Sequence, residues 1–159
     1  MFVLRKPLIA TSLSFTIAMA GVAFAQTSSP EPGNWGQKAP LIEANSEFTL
    51  TSTGEKIYVL GGYPQDRVSV KTVQIYDIPN DKWVLGPPLP EVNNHGVAAA
   101  HDGVVYLFGG QTDPNTAYVD TVYALDTKLG AGAAWTKKAA MPTKRSAGAA
   151  VVHEGKIYI

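Results

Sequence analysis

Apolar and polar positions change their rhythm at residue 25. Before it, Arg5 and Lys6 precede an uncharged run from Leu8 to Ala25, broken only by hydroxyls at Thr11, Ser12, Ser14 and Thr16. After it, apolar residues come in short runs separated by Gly, Pro, Asn and Asp, and no 3.6-residue period lasts ten residues. Short apolar runs between turn formers predict strands. Gly96 to Ala100 is one such run, built from small residues. Asp102-Gly103 is a hairpin signal, because glycine tolerates the positive φ of that turn. Val104 to Phe108 is almost continuously apolar, which predicts burial on both faces. Gln111 to Tyr118 reads as a polar loop, Val119 to Leu125 as a third strand, and Trp135 opens a fourth. The reading is all-β.

The pattern repeats. Trp35 precedes Tyr58 by 23 residues, Trp83 precedes Tyr106 by 23, and Trp135 precedes Tyr158 by 23. Six residues after each Trp stands Leu41, Leu89 or Met141, and just before each Tyr stands Ile57, Val105 or Ile157. Gly61-Gly62 and Gly109-Gly110 follow the first two tyrosines. Thr72 to Asp77 aligns with Thr121 to Asp126. One extra residue before that block and three after it lengthen the period from 48 to 52, so length varies only in loops. Four-stranded sheets that are apolar on both faces must be sandwiched between copies of themselves, and radial stacking of such sheets makes a β-propeller. Small first-strand residues (Ala98 to Ala100, Ala147 to Ala150) suit the crowded axis, and a fourth-strand Trp suits the wide rim. The Gly pair suits a turn where side chains would collide.

Set side by side, Gly54 to Gly62, Val73 to Asp77, Trp83 and Pro87 to Pro90 resemble the kelch motif. A second copy runs from Gly96 to Trp135, and Met141 to Ser146 opens a third. The resemblance implies four-stranded blades over residues 34–159: a rim strand at 34–41, a blade at 45–85, a blade at 93–138 and a partial blade at 145–159. Departures are Asn45 and Asn93 where Arg145 carries the usual opening Arg, and Leu125 in place of a third-strand Tyr. A six-bladed ring at this period needs about 300 residues. The chain stops inside the Tyr158 strand, so an incomplete chain is expected.

Composition narrows the partners. Thirteen cations balance thirteen anions, giving zero formal charge, which argues against a nucleic-acid binder built on phosphate neutralisation. The first 25 residues read as a signal peptide, with Ala23-Phe24-Ala25 as the cleavage pattern. The alternative, a membrane anchor, is disfavoured by the Ala, Ser and Thr content and by the lack of a following cationic cluster. Cleavage leaves 11 cations against 13 anions, a polar linker at 26–33, and no stable membrane span. Cysteine is absent. Export without cysteine suits a bacterial periplasm or secretion.

Candidate chemistry is sparse, and neither a cofactor nor a metal is expected. His101 and His153 recur beside hairpins and read as turn-flanking residues. His95 lies in a link between blades. Such links, with the loops after the Gly pairs, are the usual ligand face of propellers of this pattern. That face would carry Asn45, Glu47, Asn93, Asn94, His95, Lys144, Arg145 and Ser146 from the links, and Tyr63, Gln65, Asp66, Arg67, Gln111, Asp113 and Asn115 from the loops. Gly130-Ala131-Gly132 lacks the further glycine and helix of a dinucleotide site. Two functions follow from the resemblance. The first is a protein- or carbohydrate-binding scaffold. The second is a sugar mutarotase similar to N-acetylneuraminate epimerase, for which Glu47 and Arg145 are the candidate acid-base and carboxylate-gripping residues. A copper oxidase resembling galactose oxidase would need a Cys-Tyr cross-link, which this stretch cannot supply.

Overall fold

The structure, a computed structural model, describes residues 2–5, 33–64, 67–112 and 117–159. It divides into two compact units, Met1–Lys38 and Ala39–Ile159. In the first, β1 (Phe2–Arg5) pairs antiparallel with β2 (Asn34–Gln37), Leu4 opposite Trp35. Of the rim strand expected at 34–41, β2 covers only 34–37 and pairs with Phe2–Arg5, and Trp35 is exposed. The rest of the expected signal peptide and most of the expected 26–33 linker lie outside the described residues.

In the second unit, β3 (Thr49–Thr53), β4 (Lys56–Leu60), β5 (Val73–Asp77) and β6 (Lys82–Leu85) form one antiparallel sheet in chain order. A second sheet follows from β7 (Val97–His101) and β8 (Val104–Phe108). Between β8 and the next strand of that sheet, β9 (Gln111–Thr112) and β10 (Ala117–Tyr118) pair with each other. The stretch expected to be a loop is thus a small hairpin, and the third strand starts later than expected. That strand is β11 (Val122–Asp126), and β12 (Trp135–Lys137) completes the sheet. β13 (Val151–His153) and β14 (Lys156–Tyr158) form a third, two-stranded sheet. Register repeats with the sequence: Tyr76 faces Ile57 in the first sheet, and Leu125 faces Val105 at the same place in the second.

Turn chemistry sets these hairpins. Asp102-Gly103 and Glu154-Gly155 both have positive φ at each central residue, 49° and 75° in one, 47° and 72° in the other. That is the geometry whose twist matches paired strands. The three residues added to the second unit are accommodated in a 3-10 segment, Thr127–Gly132, where Asp126 accepts from the Lys128 amide at 3.0 Å. Gly130 breaks this inter-strand connection with a non-helical backbone, φ 57° and ψ −129°, so the turn is kinked rather than one continuous helix.

Alternation along the strands places the core. Tyr58 and Leu60 of β4, with Val73 and Ile75 of β5, face Ala98, Ala100, Val105, Leu107, Tyr123 and Leu125 of the second sheet. Ile57, Val59, Tyr76 and Trp83 point to the opposite side of the first sheet, onto Ala39, Leu41 and Phe48. Val97, Ala99, Tyr106, Phe108 and Val122 cover the far side of the second sheet, against Met141 and the Ala150 and Ile157 of the last hairpin. Each of the two four-stranded sheets is apolar front and back and is packed against neighbours on both sides. A fully buried Leu or Phe in such a layer contributes about 1.5–3 kcal/mol. Ala at 98, 99 and 100 keeps the first strand of the second unit thin where the layers converge. These are stacked blades of a β-propeller.

The rim residues latch neighbouring layers. Trp83 Nε1 donates to the Ala39 carbonyl and Trp135 Nε1 to the Pro87 carbonyl, both at 2.9 Å. Ala39 and Pro87 are each four residues past a repeat Trp, so one contact recurs with the sequence period. Glu43 and Glu91 recur likewise: Gln74 bonds the Glu43 backbone at both its amide and carbonyl, and Tyr123 Oη donates to Glu91 Oε1 at 2.8 Å.

Candidate ligand face

Antiparallel pairing in chain order sends the turns after β3, β5, β7 and β11 to one end of the sheets. The links before β3, β7 and β13, together with the segments after the Gly pairs, gather at the other. At that second end the backbone is wired from unit to unit. Gly62 N donates to Asn93 O and Gly110 N to Arg145 O, both at 2.8 Å. A Cβ on Gly61 would stand 2.2 Å from Asn93 O, and one on Gly109 2.3 Å from Arg145 O. Both glycines also have positive φ, 60° and 55°. Each Gly pair is required because the next unit's link carbonyl occupies the space a side chain would need.

Asn45 and Asn93 serve the same junction. Asn45 Nδ2 donates to Gly61 O at 2.7 Å and Asn93 Nδ2 to Gly109 O at 2.8 Å. These two candidates thus hold their own Gly-pair carbonyls, and Asn93 is buried, with no hydrogen-bond partner at Oδ1 among the described residues. Arg145 occupies the equivalent position with its guanidinium turned outward, Nε donating to Thr143 Oγ1 at 3.2 Å.

Two positions further on, Glu47, His95 and Ala147 adopt φ of 54°, 50° and 54°. Non-glycine residues pay about 1–2 kcal/mol for that left-handed conformation. Here it is over-determined: His95 N donates to Glu47 O at 3.0 Å, and Ala147 N donates to His95 O at 2.8 Å. One residue per unit is therefore held in the same unusual conformation by the next, which aims the side chains of 47 and 95 into a shared cleft.

That cleft, of about 220 Å³, is lined by Ser46, Glu47, Tyr63, Arg67 and His95. His95 Nε2 lies 3.0 Å from Glu47 Oε2, and Nδ1 lies 2.6 Å from Asn94 Oδ1. The Tyr63 ring meets the imidazole edge to face, centroids 6.1 Å apart. Asn94 is buried beneath the His, its Nδ2 donating to Ser69 Oγ at 2.8 Å and to Gln111 O at 3.3 Å. Sequence reading did not single out Ser69, since a lone loop serine carries no signal that it will support an asparagine 25 residues away.

A second cleft of about 530 Å³ takes the equivalent place one unit further on. Gln111, Tyr118, Lys144, Arg145, Ser146 and Ala147 line it, with Gln111 Nε2 donating to Ser146 Oγ at 3.1 Å. Gln111 stands here where Tyr63 stands in the first cleft. The structure brings Glu47, His95 and Asn94 together. It places Arg145 and Gln111 in the neighbouring cleft, so Glu47 and Arg145 do not line one site, and the arginine that lines the Glu47 cleft is Arg67. Asp113, with Gln65, Asp66 and Asn115 of the same loops, lies outside the described residues. His101 and His153 end β7 and β13 beside the hairpin turns, as their recurrence suggested.

The family model for the Kelch motif matches residues 44–90 and 94–142. The chain is similar to Kelch-like protein 41a of Danio rerio, 30% identical over 132 residues, which is 82% of this chain and 21% of that protein. Kelch-like protein 40 of Mus musculus is 30% identical over 125 residues, 78% of this chain and 19% of that protein. Kelch-like protein 36 of Bos taurus is 44% identical over 64 residues, 40% of this chain and 10% of that protein. The chain thus spans about a fifth of the length of the first of these relatives. Two matches to the motif cover more than half of the chain, at the Gly pairs, latching tryptophans and stacked sheets described above, and the chain belongs to the kelch-repeat family.

Proposed function

We propose that this chain is an exported kelch-repeat module that binds a protein partner through the face formed by its links and Gly-pair loops. The sheet faces between units are consumed in stacking, whereas Ser46, Glu47, Tyr63, Arg67 and His95 gather side chains from two units at one cleft. That gathering is the observation carrying the reading, because function concentrates in loops positioned by a rigid scaffold. Export rests on the Arg5-Lys6, apolar run and Ala23-Phe24-Ala25 pattern of the leader, and it would place the mature chain in a periplasm or outside the cell.

The test uses full-length protein purified from its own source with any bound partner. Partner retained by wild type and by Lys56→Glu at the opposite end, but lost with Arg67→Glu, supports the reading. Equal retention by all three removes it. Mass spectrometry of the same material reads the leader directly, with Gln26 expected as the first residue.

A carbohydrate ligand is the second reading, favoured by a carboxylate, a guanidinium and an aromatic ring in one cleft of small volume. For mutarotation, Glu47 would move the proton between ring oxygen and anomeric hydroxyl while Arg67 gripped a sugar carboxylate. Exchange NMR on sialic acid anomers checks this: unchanged interconversion rates with added protein would dismiss it.

A further inference from the structure

We propose that the Asn94–His95–Glu47 contact is a proton-dependent bridge between the first two kelch units, which occupies the Glu47 carboxylate within the cleft until the imidazole loses a proton. The proposal deepens the reading of this cleft as a ligand site and concerns how that site is regulated.

Hydrogen-bond polarity carries the argument. Asn94 Nδ2 reaches the Gln111 carbonyl at 3.3 Å, and a carbonyl only accepts. The amide is therefore oriented with Oδ1 toward His95, where Nδ1 lies 2.6 Å away. Oδ1 also only accepts, so this contact needs a proton on Nδ1. On the other side of the ring, Nε2 faces Glu47 Oε2 at 3.0 Å, and an ionised carboxylate accepts too. A neutral imidazole carries one ring proton and cannot serve both oxygens. The contact is complete only when both nitrogens are protonated.

The bridge joins different units. Glu47 belongs to the link before β3, and Asn94 and His95 belong to the link before β7. Asn94 cannot yield, since it is buried and anchored to Ser69 and Gln111. Glu47 can, since its side chain is 52% exposed. Among the described residues, the other charged or titratable side chains lining the cleft are Tyr63 and Arg67, both from the segment after the first Gly pair.

The direction follows. The bridged state holds one proton more than the open state, so acid favours the bridge and rising pH opens it. With the proton gone, Nδ1–H stays on Asn94, a bare Nε2 lone pair faces the carboxylate, and Glu47 is released to a ligand.

Two measurements on the full-length chain test the bridge, neither containing a ligand, so their failure is separable from failure of the binding reading. The first is the melting temperature of wild type minus that of His95→Gln, whose amide cannot donate to both oxygens from one position. The expected difference is about 2–4 °C near pH 5.5 and falls toward zero by pH 8. A difference that stays constant across that range overturns the proposal. Should His95→Gln fail to fold, the second measurement stands alone: long-range ¹H–¹⁵N spectra of the wild-type histidine rings. Protons on both His95 nitrogens at pH 5.5, with a titration midpoint that moves to lower pH in Glu47→Gln, are expected. A His95 midpoint indifferent to Glu47→Gln would refute the bridge.

Discussion

Gly54 and Gly61 have nearly the same backbone torsion, φ of 56° and 60°, yet they are constrained for different reasons. Nothing lies within 4 Å of a Cβ built on Gly54, whereas one on Gly61 would sit 2.2 Å from Asn93 O. Gly54→Ala is therefore expected to lose only the left-handed penalty, about 1 kcal/mol. Gly61→Ala also pushes apart two units whose Gly62–Asn93 hydrogen bond lies beside the clash, and should cost about 3 kcal/mol or more. Urea midpoints of the two variants measure the difference directly. Equal losses would mean that the junction yields freely. The conformational need for glycine was readable from the chain; the collision partner, 32 positions away, was not. Asn45 and Asn93 show the same limit. Their place at the start of each unit was legible, but only the folded junction shows that their amides are committed to Gly61 and Gly109.

At the scale of strands, third-strand tyrosines couple the sheets to acids in the links and turns. Tyr76 of β5 is buried, and burial with a hydrogen bond to Asp81 pushes its phenol up to about 12. Tyr123 of β11 is likewise raised to about 12, by burial first and by Glu91 second. A folded-state value above the unfolded one near 10 means that the protonated form is the one stabilised. The contribution is fully present below pH 10 and is lost as pH climbs from 10 to 12. Urea midpoints should fall over that interval, and the fall should be smaller in Tyr76→Phe/Tyr123→Phe. An undiminished alkaline loss in the double variant would place its origin elsewhere. These pairings were not evident beforehand, since Tyr76 aligns with Leu125 and Tyr123 with Gln74. The repeat aligns backbone positions while the side chains exchange roles.

Across the whole molecule, the layers are unequally covered. Ala99 is 5% exposed, but Val151, at the same distance before the repeat Tyr, is 61% exposed. Tyr58 is 4% exposed and Tyr158 is 50%. A two-stranded sheet with one covered face is marginal by itself, and local openings follow low coverage. Amide exchange should accordingly be at least about a hundredfold faster in β13 and β14 than in β4 and β8. Uniform protection would show that something not described here covers the last hairpin.

Local rules determined most of the strands, the Asp102-Gly103 hairpin and the repeat, because apolar runs between turn formers and a turn's need for positive φ are written in neighbouring residues. They did not show the β9–β10 hairpin or the late start of β11, which follow from pairing in the folded chain. The recurrence of Trp, Tyr and Gly-Gly also determined that several like sheets must stack, since a sheet apolar on both faces has no other stable arrangement. Tertiary structure decided what the polar residues do. It sent Asn45 and Asn93 to the junctions, separated Arg145 from Glu47, and set His95 between Glu47 and Asn94. Those outcomes depend on distances between links from different units, which no local pattern encodes.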